Sequence, residues 1–202
     1  MEFRKLEERD VREFSELIEN MYSGLENLEW FTPMPFDEEN VLNMIQKPRF
    51  YILGAFEDNK LVGVSSLDYK CGKLLGKIDF PENCNTEKLV EIGFNLVHLD
   101  YRGNKIMQKL IQQLLEKLKQ DGYEWVFVKV HKDNIASNKS CYNLGFKLWK
   151  EYRKSVNKEE FENLANQPFF SKEGKVNAEK TLSKFADKDE IVVDYNILIR
   201  KV

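Results

Sequence analysis

Histidine and cysteine are scarce in this 202-residue chain, at two and three copies. His98 and His131 lack ligand spacing with each other or with Cys71, Cys84 and Cys141, so no metal site is expected. An odd number of cysteines without a CxxC pair suits reduced thiols rather than a disulfide framework. Long apolar runs are also missing. Stretches such as 125–128 fall far short of the roughly 18–20 residues that cross a bilayer, so no membrane partner is expected. The opening Met1-Glu2-Phe3-Arg4-Lys5 has no apolar h-region, and no export is expected from it. Neither charge dominates. The 31 basic and 34 acidic residues leave −3, which argues against a broad electrostatic hold on nucleic acid. No repeat, low-complexity stretch or Gly/Ser-rich linker divides the chain. The expectation is a cytoplasmic globular protein of one domain, 1–202, with 42% hydrophobic residues for a core and 32% charged residues for its surface.

What is present is a sequence of alternating periods. A short strand is predicted over 3–6. Asp10 and Glu13 then form a D-x-x-E pair able to cap a helix reaching about Tyr22. Val11, Phe14, Leu17, Ile18 and Met21 recur at three- and four-residue spacing, which is one helical face. The turn-rich stretch 29–35 leads to a second helix over 38–46. Two β-rich runs, 50–56 and 61–67, flank Asp58-Asn59-Lys60 as a hairpin. Residues 70–87 show no period and are predicted as loop. A strand over 89–99 is followed by a strongly amphipathic helix from Ile106 to Leu118, stopped at Asp121-Gly122. Residues 125–130 read as a strand covered on both faces, 136–144 as a short helix and 146–152 as a strand. Polar helices over 157–186 form an insertion before a last strand at 191–199. The whole is a mixed α/β (α+β) domain around a central sheet.

Chemistry concentrates at two places. In residues 91–107 a strand ends near Leu99, a tight turn holds Tyr101-Arg102-Gly103-Asn104, and a long helix begins at once. Such a turn aims free backbone amides and the positive end of the helix dipole at one spot, where an anion such as a pyrophosphate can sit. An ordinary strand–turn–helix connection with a convenient glycine has the same appearance. The second place runs from Asn134 to Leu144-Gly145-Phe146, a polar segment that leaves a strand, forms a short helix and stops at Gly145.

Together these stretches resemble the GNAT superfamily of acetyl-CoA-dependent N-acetyltransferases. Tyr101-Arg102-Gly103 matches the opening of the family's phosphate loop, Tyr-Arg-Gly-x-Gly-x-Gly/Ala. Asn134 and Leu144-Gly145-Phe146 match its later block at the usual spacing. The likeness is clearest over 88–150. It implies a mixed, mostly antiparallel sheet of six to seven strands, helices on both faces, and a splay between the fourth and fifth strands. It implies acetyl-CoA as co-substrate, with its pantetheine arm on backbone groups near Val97 and Leu99. The pyrophosphate would rest on the amides of Arg102, Gly103, Asn104, Lys105, Ile106 and Met107, and Asn134 would bond the arm. Dimers are frequent in the superfamily, so the resemblance also allows a homodimer.

Three positions depart from the family pattern. Lys105 stands at the loop's second glycine, where positive φ costs a residue with a β-carbon roughly 1 kcal/mol or more, and Met107 stands at a small residue. Lys105 also offers the phosphates a cation. The family's proton-donating tyrosine corresponds to Cys141, with Tyr142 displaced by one residue, about 100° around a helix. Cys141 is therefore the candidate acid, and a packed small hydrophobe is the alternative. The resemblance makes Glu91, near the start of the fourth strand, the candidate general base, with an exposed strand-end carboxylate as the alternative. His98 and His131, at the ends of the splayed strands, are expected to be structural. The resemblance implies that Trp30 and Phe31, with Pro33 and Phe36 nearby, wall the acceptor site, and core packing is the alternative. The function implied is transfer of an acetyl group to a primary amine of a small molecule, peptide or protein terminus. A non-catalytic acyl-CoA sensor module is the alternative. The insertion 157–186 is expected either to lid the cleft or to be a solvated helical pair.

Overall fold

The computed structural model describes residues 1–34, 36–71 and 74–202. The first half contains β1 (Glu2–Lys5), α1 (Val11–Ser23), α2 (Glu38–Gln46), β2 (Phe50–Glu57), β3 (Lys60–Asp68) and β4 (Leu89–Val97). The second contains α3 (Ile106–Gln120), β5 (Trp125–His131), α4 (Ile135–Asn143), β6 (Lys147–Asn157), α5 (Lys158–Ala165), α6 (Lys172–Ser183) and β7 (Glu190–Lys201). The strands form one seven-stranded sheet in the order β1-β2-β3-β4-β5-β7-β6. Each neighbouring pair is antiparallel except β4 and β5, so the sheet is mixed and mostly antiparallel as expected. No helix among the described residues is long and apolar enough to cross a membrane.

Helices cover both faces. The stripe Ile106, Leu110, Ile111, Leu114 and Leu118 of α3 packs on Val90, Ile92, Val126 and Val128. Each such fully buried side chain contributes about 1.5–3 kcal/mol. On the opposite face α1, α2, α5 and α6 share a core that includes Phe14, Ile18, Val41, Phe161 and Ala178. The nearly continuous apolar run of β5 follows from this sandwiching. Its valines meet α3, while Phe127 packs on the other face against Phe80 and Ile197.

Differences from the sequence reading have local causes. α1 forms, but neither Asp10 nor Glu13 caps it. Asp10 grips the Arg4 guanidinium through two 2.7 Å bonds and takes the Glu7 N–H at 2.8 Å. Glu13 accepts the Leu61 N–H at 3.2 Å. The hairpin turn has positive φ at both Asp58 and Asn59, the twist that a tight two-residue connection needs. β4 stops at Val97, two residues early, because Leu99–Tyr101 winds into a single 3₁₀ turn. β6 runs on to Asn157, since its ladder with β7 continues to Glu190. Within 70–87 the described residues hold only an isolated bridge, Leu75 to Ile78, and the start of the 3₁₀ turn Thr86–Lys88, and Gly72 and Lys73 lie outside the described residues. Pro35, part of the turn-rich stretch, also lies outside them.

Residues 157–186 hold α5 and α6, which pack on the body of the fold. Their inner faces bury Phe161, Leu164, Phe170 and Ala178 in the core shared with α1. They also hold the segment after α1 by hydrogen bonds. Leu28 N–H donates to Thr181 Oγ1 at 3.3 Å, and Asn177 Nδ2 donates to Leu25 O at 3.3 Å.

Candidate active site

The parallel register of β4 and β5 runs from Leu89–Trp125 to Ile92–Val128 and stops there, although both strands continue. The cause lies in β4. Gly93 pairs with Ser66 and Leu96 with Val64, so four residues of β4 oppose three of β3, and Phe94 sits in the bulge at φ 47. Left-handed backbone at a residue with a β-carbon costs about 1–2 kcal/mol, held here by packing of Phe94 on Phe50, ring centroids 5.4 Å apart. The extra residue exchanges the faces of the strand. Ile92 and Val97 both face the α3 side, whereas Leu96 joins the opposite core. Beyond Ile92 the β4 edge therefore borders a cleft instead of a strand.

Two cavities, of about 630 and 400 Å³, meet in that cleft. Both are lined by Trp30, Phe31, Asn95, Asn134 and Ser137, so they adjoin at the splay. The larger cavity ends at the start of α3. Gly103 has φ 84 and Lys105 φ 59, and a β-carbon on Gly103 would meet nothing, so only its backbone angle requires glycine. The helix ladder begins with Lys109 N–H to Lys105 O at 3.1 Å. The N–H groups from Gly103 to Gln108 have no partner among the described residues, the arrangement by which a helix start can hold an anion. Val97, Arg102, Gly103, Lys105, Ile106 and Met107 line this cavity.

Leu99 and Asn104 do not line it. The Leu99 N–H is taken by Asn20 Oδ1 at 2.9 Å, and its side chain fills the space beside Gly24. Asn104 is exposed and folds its amide back onto Tyr101 O at 3.3 Å. Asn134 caps α4, its Oδ1 accepting the Ser137 N–H at 3.1 Å, while its side-chain NH₂ has no partner among the described residues. The candidate acid Cys141 is displaced from the cleft. It is 2% exposed inside the α3-side core, lines neither cavity, and burial pushes its thiol up to about 12. Tyr142 is 45% exposed and also lines neither. The face of α4 turned to the cleft is Ser137, Ser140 and Asn143.

The smaller cavity holds Glu91, on the face opposite α3. Burial pushes its carboxyl up to about 7, and Asp68 adds to this while Lys129 and Arg49 oppose it. Trp30 and Phe31 are held in place from several sides. Tyr22 donates to Thr32 O at 3.2 Å and accepts the Met34 N–H at 2.9 Å, and the Thr32 and Tyr195 hydroxyls meet at 3.1 Å. Lys184 reaches Glu29 at 2.8 Å. Burial alone would raise the Glu29 pKa, but Lys184 holds it below the usual range. Phe36 turns away to pack on Phe169.

His98 lies outside both cavities, its Nδ1 accepting the Asp100 N–H at 3.3 Å. His131 does line the smaller cavity, opposite Tyr195 in the β5–β7 ladder. Its Nδ1 accepts the Asp133 N–H at 3.1 Å, so a neutral ring carries its proton on Nε2, and burial lowers its pKa and favours that neutral form. The sequence reading missed Asn95, Lys129, Tyr195 and Ser140. The 137/140/143 polar spacing on α4 was a legible signal, whereas Tyr195 joins the site only through the β5–β7 pairing.

Comparison with known proteins agrees with this architecture. Residues 12–146 match the family model described as Acetyltransferase (GNAT) family. A ribosomal-protein-alanine N-acetyltransferase from Brucella melitensis superposes with a TM-score of 0.67 at 15% identity, covering 100% of both chains. A putative acetyltransferase from Salmonella typhimurium, solved with its cofactor acetyl-CoA, gives 0.64 at 15% identity over 100% of this chain and 93% of the other. An N-acetyltransferase from Thermoplasma acidophilum in complex with coenzyme A gives 0.59 at 17% identity, over 100% and 98%. No curated protein matches in sequence. With a family model spanning 135 of its residues and this splayed sheet, the chain belongs to the GNAT family of acetyltransferases.

Proposed function

We propose that this acetyltransferase uses acetyl-CoA to acetylate a primary amine by direct attack in a ternary complex, with Glu91 as general base. The observation that carries the reading is the pair of adjoining cavities at the splay. One offers unpartnered helix-start amides, and the other a carboxylate titrating near neutrality.

The residues present fit the co-substrate. The amides of 103–108, with Lys105 and Arg102 beside them, suit a pyrophosphate, and the open β4 edge and Asn134 suit an amide-bearing arm. Lys105 adopts the left-handed angle that the family's glycine serves, so the loop keeps its turn despite the side chain. When bound, acetyl-CoA supplies an acetyl thioester. Glu91, half ionised near pH 7, accepts one proton from the amine directly or through water. The amine nitrogen forms a bond to the acetyl carbon as the carbon–sulfur bond breaks. Backbone N–H groups of the β4 edge oppose the negative charge that develops on the carbonyl oxygen. The departing sulfur takes a proton from water, because an ordinary thiol pKa of about 8.5 needs no strong acid. Cys141 has no part in this step.

The test is thiol release. Free CoA is expected only when an amine is present. Glu91→Gln is expected to lower kcat by roughly 10²–10⁴-fold with acetyl-CoA affinity little changed. Tight acetyl-CoA binding with no release across a broad amine panel would instead identify a binding module.

A further inference from the structure

A third cavity, of about 450 Å³, lies behind Glu91 and shares Glu91, Gly93, Phe94 and Lys129 with the smaller cavity of the cleft. Ser66 lines it from β3. That residue is 1% exposed, and its Oγ has no hydrogen-bond partner among the described residues. A buried hydroxyl left unpaired costs free energy, which a polar ligand atom would recover. The charges around it are unequal. Asp68 is matched by Arg49, which binds both of its carboxylate oxygens. Arg153 is matched by Asp194 at 2.7 Å. Lys77, exposed at the rim, and Lys129, whose ammonium lies 5.1 Å from the Tyr195 ring centre, line the same cavity as Glu91. A polycationic acceptor is disfavoured in such a field, while an anionic oxygen gains from it.

We propose that the acceptor is an amine that also carries an anionic oxygen group, a carboxylate or a phosphate. Its nitrogen lies at Glu91 and its anion in the cavity lined by Ser66, Lys77 and Lys129. The placement of the nitrogen rests on the acetyl-transfer reading above, whereas the anion site does not. The lysines serve a second purpose here. Positive charge beside the amine favours its neutral, nucleophilic form.

The test is calorimetric binding to the full chain saturated with CoA, using matched probes. These are tryptophan against tryptamine, tyrosine against tyramine, and O-phosphoethanolamine against ethanolamine. The anion-bearing member of at least one pair is expected to bind ten-fold tighter or more, and the carboxylate and phosphate pairs separate the two sources. Lys77→Glu, a rim substitution, is expected to abolish that preference, and Ser66→Ala to weaken the preferred member several-fold. Equal or tighter binding of the amine-only members, or no binding by any probe, would overturn the proposal. Thiol release is followed separately. A binding preference without acetyl transfer would overturn the reaction and leave the anion site standing. Acetyl transfer at equal rates to both members of every pair would do the reverse.

Discussion

Replacing Glu91 by glutamine is expected to stabilise the protein at alkaline pH while it slows catalysis. The native carboxyl titrates near 7, against an ordinary value near 4.5, chiefly because it is desolvated. Below pH 4.5 both folded and unfolded chains carry the proton, and the group costs nothing. Between the two values the folded chain keeps a proton that the unfolded chain releases, so rising pH favours unfolding, and above 7 the full cost applies. At about 1.36 kcal/mol per pKa unit the limit is about 3 kcal/mol, and water reaching the cavity reduces it to about 1–3 kcal/mol at pH 8. For a chain of this length that raises Tm by roughly 3–10 °C. Urea unfolding of both proteins at pH 5 and pH 8 measures the effect, and the gap must widen at the higher pH. In parallel the wild-type kcat/KM is expected to fall on the acid side with an apparent pKa near 7, a limb that Glu91→Gln lacks. A variant no more stable than wild type at pH 8 would refute the reasoning. Glu91 would then be an ionised, well-paired carboxylate whose loss costs an ion pair to Lys129.

Three further outcomes follow from the geometry. Asn134→Asp keeps the α4 cap and is expected to leave Tm nearly unchanged while acetyl-CoA affinity falls about ten-fold in calorimetry, whereas Asn134→Ala also costs about 1 kcal/mol of stability. Lys184→Ala strips the buried Glu29 of its cation and is expected to cost about 1–3 kcal/mol in denaturant melts. Because Glu29 adjoins Trp30 and Phe31, the same variant is expected to raise the KM for the amine without changing the Kd for acetyl-CoA. Cys141→Ala is expected to turn over within about two-fold of wild type, with a stability loss of about 1 kcal/mol, since the thiol is packing. A hundred-fold loss of kcat would restore Cys141 as a proton donor.

Elements with a clear period were legible in the sequence. The stripe of α3, the hairpin signal between β2 and β3, and the doubly covered run of β5 are each written in neighbouring residues. The phosphate loop was legible because its chemistry is local, a turn and a helix start. Glu91 was singled out by its place near the start of the fourth strand, where the family resemblance puts a glutamate. Tertiary competition was not. Asp10 is a helix cap by sequence, yet the Arg4 guanidinium takes it, and the Leu99 amide is withdrawn from the cleft by Asn20, 79 residues earlier. The bulge at Phe94 leaves no composition signal, although it exchanges the faces of β4 and opens the cleft. Cys141 illustrates the limit most directly. One residue of rotation on α4 sends position 141 into the core and position 140 to the cavity, a difference that only packing decides.

The most direct test of the account is a calorimetric titration of the wild-type protein and Arg102→Glu with acetyl-CoA. One-to-one micromolar binding, weakened at least ten-fold in the variant, is the predicted result and fixes the helix-start amides as the phosphate site. Absence of binding at millimolar acetyl-CoA would contradict the account, because Lys105 and Met107 would then have closed the loop on which every later step depends.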